Sequence, residues 1–321
     1  MAQNNQKLRE VLAKVRELVA TVVDGDEGSA EPTDGDMKAP SLTTRGDMPG
    51  CVLKSLPKRL LLKAAKTATM MFPANAPVFG PMAMITDGFA VDNPLQIALV
   101  TSKYWGPTPR RLTVSFLETT SSDLQTRIVD HMNAWTKAGC ISFVMTNGTG
   151  DVRVSRGPGG YWSYLGTDIL HIPRNRQTMN LEGFTINTPE SEYKRVVRHE
   201  TGHTLGFPHE HMRKALVARI DPQKAYPWFL QTYGWDKATV DAQVLTPLDE
   251  ASLMSTPVDQ DSIMCYQLPG LITKDGQPIP GGTDIDPTDY AFCGKVYPKQ
   301  DHSPAGNDAE WSESDDVEVP A

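Results

Sequence analysis

His199-Glu200-Thr201-Gly202-His203-Thr204-Leu205-Gly206-Phe207-Pro208-His209-Glu210-His211 is the stretch on which the fold and its chemistry turn. His199 and His203 are four residues apart, so on a helix both rings project from one face. That spacing suits two imidazole nitrogens on one zinc ion. Gly206 accepts positive φ without a steric penalty, so the chain can leave the helix sharply there. The turn can then bring His209 back to the same ion. Three neutral nitrogen ligands leave the fourth tetrahedral position open for water. Glu200 follows the first ligand directly, and a carboxylate there can reach that water without replacing it. Zinc lowers the water's pKa toward 7, so Glu200 can take its proton during attack on a carbonyl and return it to the leaving amine.

With this composition, a chance HExxHxxGxxH match is expected in about one chain in 10⁵. Scattered surface histidines are therefore a poor explanation, and four of the seven histidines lie in this one window. The expectation is a zinc-dependent metalloendopeptidase with one catalytic zinc held by His199, His203 and His209. The alternative is a catalytically silent, zinc-stabilised interaction module, in which Glu200 would have no evident role. Downstream, Ser262-Ile263-Met264-Cys265-Tyr266 supplies a second signal. Combined with the long zinc motif, Met264 fits the methionine turn that underlies the metal in metzincins.

Thr188 can cap the helix that carries the motif, with Pro189 at its first position, and Gly206 ends it after Leu205. Upstream, the spacing predicts a strand over 111–117, then a helix from Asp123 capped by Ser121 or Ser122 and ended by Gly139. Strands follow at 140–144 and 151–155, with Asn147-Gly148 turning between them, and at 161–165 and 169–172. Downstream, a short helix is expected near 222–233 and a last one from Pro287, capped by Asp286. One strand, one helix and then several strands favour a mixed sheet with helices packed on it.

The first 98 residues read as a leader. They hold an amphipathic helix over 8–19, a Gly/Pro/Asp-rich linker over 24–50 and a Leu/Ala-rich helix over 56–71, with Pro57 in its first turn. Residues 99–299 form the catalytic unit. Residues 300–321 hold seven acidic residues and no Lys or Arg, as in a disordered acidic tail.

The chain has 321 residues and a formal net charge of -8. That balance argues against a nucleic-acid partner, whose phosphates need a basic footprint. No apolar run is long enough to span a membrane. The amino-terminal stretch does not read as a secretory signal, so the compartment stays open between cytoplasm and non-classical export. The four cysteines, Cys51, Cys140, Cys265 and Cys293, are widely spaced and contain no Cys-x-x-Cys pair. Buried thiols or one incidental bridge are expected.

HETGHTLGFPHEHMR, with Phe207, Glu210, His211 and Arg213 in register, and SIMCY together resemble the astacin-like branch of the metzincin zinc metallopeptidases. The likeness extends more weakly from about Tyr104 to Pro298. It implies an α+β fold: a twisted mixed sheet and two long helices above an active-site cleft, with an irregular lower subdomain. It implies that the strand Tyr161, Trp162, Ser163 and Tyr164 is the edge along which peptide or protein substrates bind. It implies that Tyr266 can ligate zinc and swing away to stabilise the transition state, and that Glu210 contacts the buried N-terminus of an activated enzyme. Propeptides in this family can block zinc with the Asp of a Gly-Asp pair, and some other metzincins use a Cys. Here the leader carries Gly25-Asp26, Gly35-Asp36, Arg45-Gly46-Asp47 and Cys51. Two departures stand out: Cys265 replaces the usual His, and Lys214-Ala215-Leu216-Val217 replaces the expected charged residues.

Overall fold

The computed structural model describes residues 51–76, 101–248 and 257–299. The helix expected over 8–19, the linker with its Gly-Asp pairs, and the acidic tail lie outside the described residues. Helix α1 spans Lys58–Met71. Strand β1 (Arg110–Phe116) is followed by helix α2 (Ser122–Met132). Four short strands come next: β2 (Ile141–Met145), β3 (Val152–Ser155), β4 (Tyr161–Ser163) and β5 (Met179–Leu181). Helix α3 begins as Glu190–Glu192, passes through a π-helical stretch Tyr193–Val197, and finishes as Arg198–Thr204. Helix α4 is Pro222–Tyr233 and α5 is Pro287–Val296.

The five strands form one mixed sheet in the order β2-β1-β3-β5-β4. All neighbours run parallel except β4, which pairs antiparallel with β5 and forms an edge. Its position matches the expected edge strand, although it is two residues shorter. β2 and β3 are not a hairpin. Both lie parallel to β1 on opposite sides, β2 beside its first half and β3 beside its second. The chain crosses β1 between them. Asp151 fixes that crossing, since its carboxylate accepts from Thr113 N–H and Oγ1–H while its own N–H donates to Thr113 Oγ1.

Three further expectations are corrected. Residues 169–172 are not a strand but part of a 3₁₀ turn, Gly166–His171. Its three-residue period places Ile169 and Ile172 together in the core and leaves Leu170 exposed, a pattern that resembles alternation in so short a segment. Helix α2 stops at Met132 and tightens into a 3₁₀ turn, Asn133–Lys137, before Gly139. Neither Ser121 nor Thr188 makes a side-chain cap, and Pro57 and Pro189 stand just before their helices.

The main core joins both long helices to the sheet. Ile128, Met132 and Trp135 meet Val114, Val152 and Val154, and Val196 and Val197 pack against the same cluster. A second cluster around Phe229, Val240, Val244 and Ile272 forms the lower, mostly non-sheet half. Cys51 and Val52 belong to that lower cluster, whereas Leu56 and Ala64 join the main core. The leader segment therefore runs between the two halves. Among the described residues no helix is long and apolar enough to cross a membrane.

Candidate active site

α3 ends in the geometry its glycine permits. Gly206 has φ 96°, its N–H donates to His203 O, and Phe207 N–H reaches back to Gly202 O. This pair of bonds is the Schellman arrangement, which satisfies terminal carbonyls while reversing the chain. The reversal returns His209 to the face that carries His199 and His203. His199 Nε2 lies 3.3 Å from His209 Nε2, and His203 Nε2 lies 2.9 Å from it. All three side chains are buried.

The tautomers follow from the outer ring nitrogens. His199 Nδ1–H donates to Ile263 O at 2.6 Å, and His203 Nδ1–H to Phe207 O at 2.8 Å. Their Nε2 atoms therefore carry lone pairs. Burial depresses all three imidazole pKa values, His199 to about 4 and the other two further, so the rings are neutral. Both lone pairs point toward His209 Nε2, and His209 Nδ1 is buried with no partner among the described residues. The donor set thus fits zinc, which takes neutral imidazole nitrogens.

The methionine turn sits beneath this triad and is held from the far end of the chain. Asp289, in the first turn of α5, accepts from Ser262 Oγ–H at 2.6 Å and Ile263 N–H at 2.9 Å. That fixes the carbonyl of Ile263 on His199, while Met264 O accepts from Glu210 N–H. Asp289 is a positioning residue that the sequence did not single out, since only Asp286 was read there, as the helix cap. Gly202 lets the turn approach, because a Cβ there would fall well inside van der Waals contact with Met264 Sδ. Replacing Gly202 by Ala is expected to lower stability by about 1–3 kcal/mol by overpacking. Denaturant unfolding checks this, and an unchanged midpoint would mean that Met264 has room to move.

Glu200 is fully buried beside the triad, and one of its oxygens has no partner among the described residues. Burial pushes its pKa up to about 8, against the lowering influence of Cys51 and Arg195. Arg195 lines the same cleft one turn earlier on α3, its guanidinium bonded to Glu192 at 2.6 and 3.1 Å. Tyr266 stacks on His211 and lies 4.5 Å, ring to ring, from His209, with its hydroxyl buried and unpartnered among the described residues. His211 is not in the triad. Its Nε2 bonds Gln243 O, and its Nδ1 accepts from Tyr266 N–H. Glu210 is bonded to Arg213 and to Asp259 N–H, and burial raises its pKa to about 7. All four cysteines are free thiols.

The cleft beside Glu200 has a volume of about 640 Å³ including its mouth. β4 borders it. Tyr161 lines the cleft, Trp162, Ser163 and Tyr164 are buried, and Ser163 Oγ is 3.0 Å from Thr204 Oγ1 of α3. The outer edge of β4 is already engaged. Val52 N–H donates to Tyr161 O at 3.2 Å, and Lys54 pairs in parallel with Tyr164. Cys51, at the head of this segment, is buried and lines the same cleft as Glu200. No feature of the sequence marked residues 52–54 as strand partners or Gln243 as their clamp.

Fold and site together define a zinc metalloendopeptidase of metzincin build. The model of the Astacin peptidase family matches residues 100–275, and the chain belongs to that family. A solved structure of myroilysin superposes with a TM-score of 0.58 at 28% identity, over 62% of this chain and 96% of that one. High choriolytic enzyme 1, a hatching enzyme zinc-protease of the medaka fish Oryzias latipes, aligns at 24% identity with a TM-score of 0.40, over 58% and 88%. No curated protein matches the chain.

Proposed function

We propose that the chain cuts within peptides and proteins laid along β4, with Glu200 as general base and then general acid. The observation that carries this is the convergence of three neutral Nε2 atoms beside a buried, part-unpartnered carboxylate, next to a sheet edge. His199, His203 and His209 would hold the zinc, which supplies Lewis acidity toward the attacking water and the scissile carbonyl. Glu200 takes the proton of the attacking water and delivers it to the leaving amine nitrogen. A single carboxylate beside the attacking water can serve both steps, since the proton it accepts is the one it returns. Backbone groups of Tyr161 and Ser163 orient an extended substrate by adding it as a strand. Met264 and Gly206 stay structural, one as the floor and the other as the bend.

Tyr266 donates a hydrogen bond to the oxyanion that develops on the carbonyl. Tyr266→Phe should lower kcat by roughly 10²–10³-fold, with KM and zinc content nearly unchanged, as for loss of one oxyanion donor. An unaltered kcat would assign Tyr266 to packing on His211 alone. The reading as a whole is tested by digesting casein with protein trimmed of residues 1–98 and mapping the products. Internal cuts that a zinc chelator abolishes are expected. Release of terminal residues only, or cleavage indifferent to the chelator, would contradict it.

A further inference from the structure

We infer that Glu192 sets the specificity of the cleft: it fills the guanidinium fork of Arg195, and the pocket beside Glu200 then selects a large aromatic side chain on the amine side of the cut. This rests on the zinc-peptidase reading above and names the substrates of that site. Arg195 is the only Lys or Arg among the described residues that line the cleft. An arginine receives a carboxylate best through two parallel N–H···O bonds. Here that fork is already taken. Arg195 Nε donates to Glu192 Oε1 at 3.1 Å, and Nη2 donates to Glu192 Oε2 at 2.6 Å. The two residues are three apart, where α3 passes into its π-helical stretch, so the helix itself brings them together. Burial raises the pKa of both Tyr161 and Tyr233, and Arg195 opposes the rise in each. The guanidinium therefore stands between β4 and α4, with its charge balanced by Glu192.

The rest of the pocket has an aromatic wall. α4 contributes Trp228, Phe229 and Tyr233, and the turn after it contributes Trp235. Asp221 starts the helix by accepting from Gln223 N–H. Gly234 ends it with φ 69°, and Trp235 N–H then donates to Phe229 O. This reversal stacks the Trp235 ring on Phe229, with centroids 5.2 Å apart and 8° between the planes. Trp228 meets Tyr233 edge-on at 5.5 Å. Phe229 and Trp235 are buried, whereas Trp228 and Tyr233 are half-buried and border the open cleft. A further ring entering this set buries apolar area and gains edge or offset contacts. A substrate carboxylate meets the reverse. It loses water, finds the fork filled, and lies near the like charge of Glu192. Glu200 lines the same pocket and returns its proton to the leaving amine, so the pocket faces the residue that carries that amine.

Quenched peptides that differ only in the residue after the cut, as Phe, Ala or Glu, separate the claims. The protein is folded at full length and then trimmed of residues 1–98, and each cut is located by mass spectrometry. Wild type should favour the Phe peptide over the Glu peptide by about tenfold or more in kcat/KM. Glu192→Ala should raise kcat/KM for the Glu peptide by about tenfold or more and leave the Phe peptide within about threefold. A loss of folding alone would move all three peptides together. Adding Arg195→Met to Glu192→Ala should cancel the gain. Trp228→Ala should slow the Phe peptide by about tenfold and spare the Ala peptide. Equal rates on the Phe and Glu peptides in wild type, no gain for the Glu peptide in Glu192→Ala, or an unimpaired Phe peptide in Trp228→Ala overturns the inference and leaves the peptidase reading standing. A wild type that cuts neither these peptides nor casein overturns both.

Discussion

Replacing Glu200 by Gln should leave one zinc per chain and lower kcat/KM by about 10³–10⁴-fold, the upper range for a positioned general base. Gln keeps the shape of the side chain and one acceptor oxygen, so the triad has no reason to move. It cannot take a proton from water or return one to the leaving amine. The expected loss therefore falls on kcat, since the interaction matters most in the transition state. The comparison belongs in trimmed protein, in which Cys51 no longer lines the cleft. Steady-state kinetics on a quenched peptide, with metal analysis of the same preparation, makes the check. A Glu200→Gln enzyme that retains its zinc and more than about a tenth of wild-type activity would remove Glu200 from the proton path.

Removing the metal should have the second largest effect, and on stability as well as activity. Three buried imidazoles whose Nε2 atoms converge lose the cation they would share. A ligand held at 1,000 times its dissociation constant stabilises the native state by about 4 kcal/mol. For a domain of 150–250 residues, each kcal/mol moves Tm by about 2–4 °C, so a drop of about 10 °C is expected on chelation, reversed by added zinc. Differential scanning calorimetry of the trimmed chain, with and without chelator, reads this directly. An identical Tm in both would mean that the triad does not hold the metal in the folded state.

The sequence spoke most clearly where chemistry constrains spacing. Two histidines four apart, a glycine three residues beyond and a third histidine after it leave little freedom, and the Schellman turn at Gly206 follows from those residues. The main helices and β1 were legible because their apolar periodicity extends over several turns or a full strand. Short elements were not. Met179-Asn180-Leu181 is a buried three-residue strand with no alternation to read, and Ile169/Ile172 fit a 3₁₀ period as well as a strand. The order β2-β1-β3 is set by a crossing that Asp151 and Thr113 hold through contacts 38 residues apart, and no local pattern reports it. The same applies to the site's support. Asp289 lies one turn into a helix for which the sequence marked only Asp286, yet it anchors the methionine turn. Cys51 was visible only as one cysteine after a set of Gly-Asp pairs, and its place above the triad depends on Gln243, 192 positions away in sequence (51 to 243).

Native mass spectrometry of the trimmed chain, beside His199→Ala, His203→Ala and His209→Ala, tests the shared-ion centre most directly. One zinc per wild-type chain and loss of that zinc in each of the three variants is the predicted result. A wild-type chain without zinc, or a zinc that persists at full occupancy in all three variants, would contradict it.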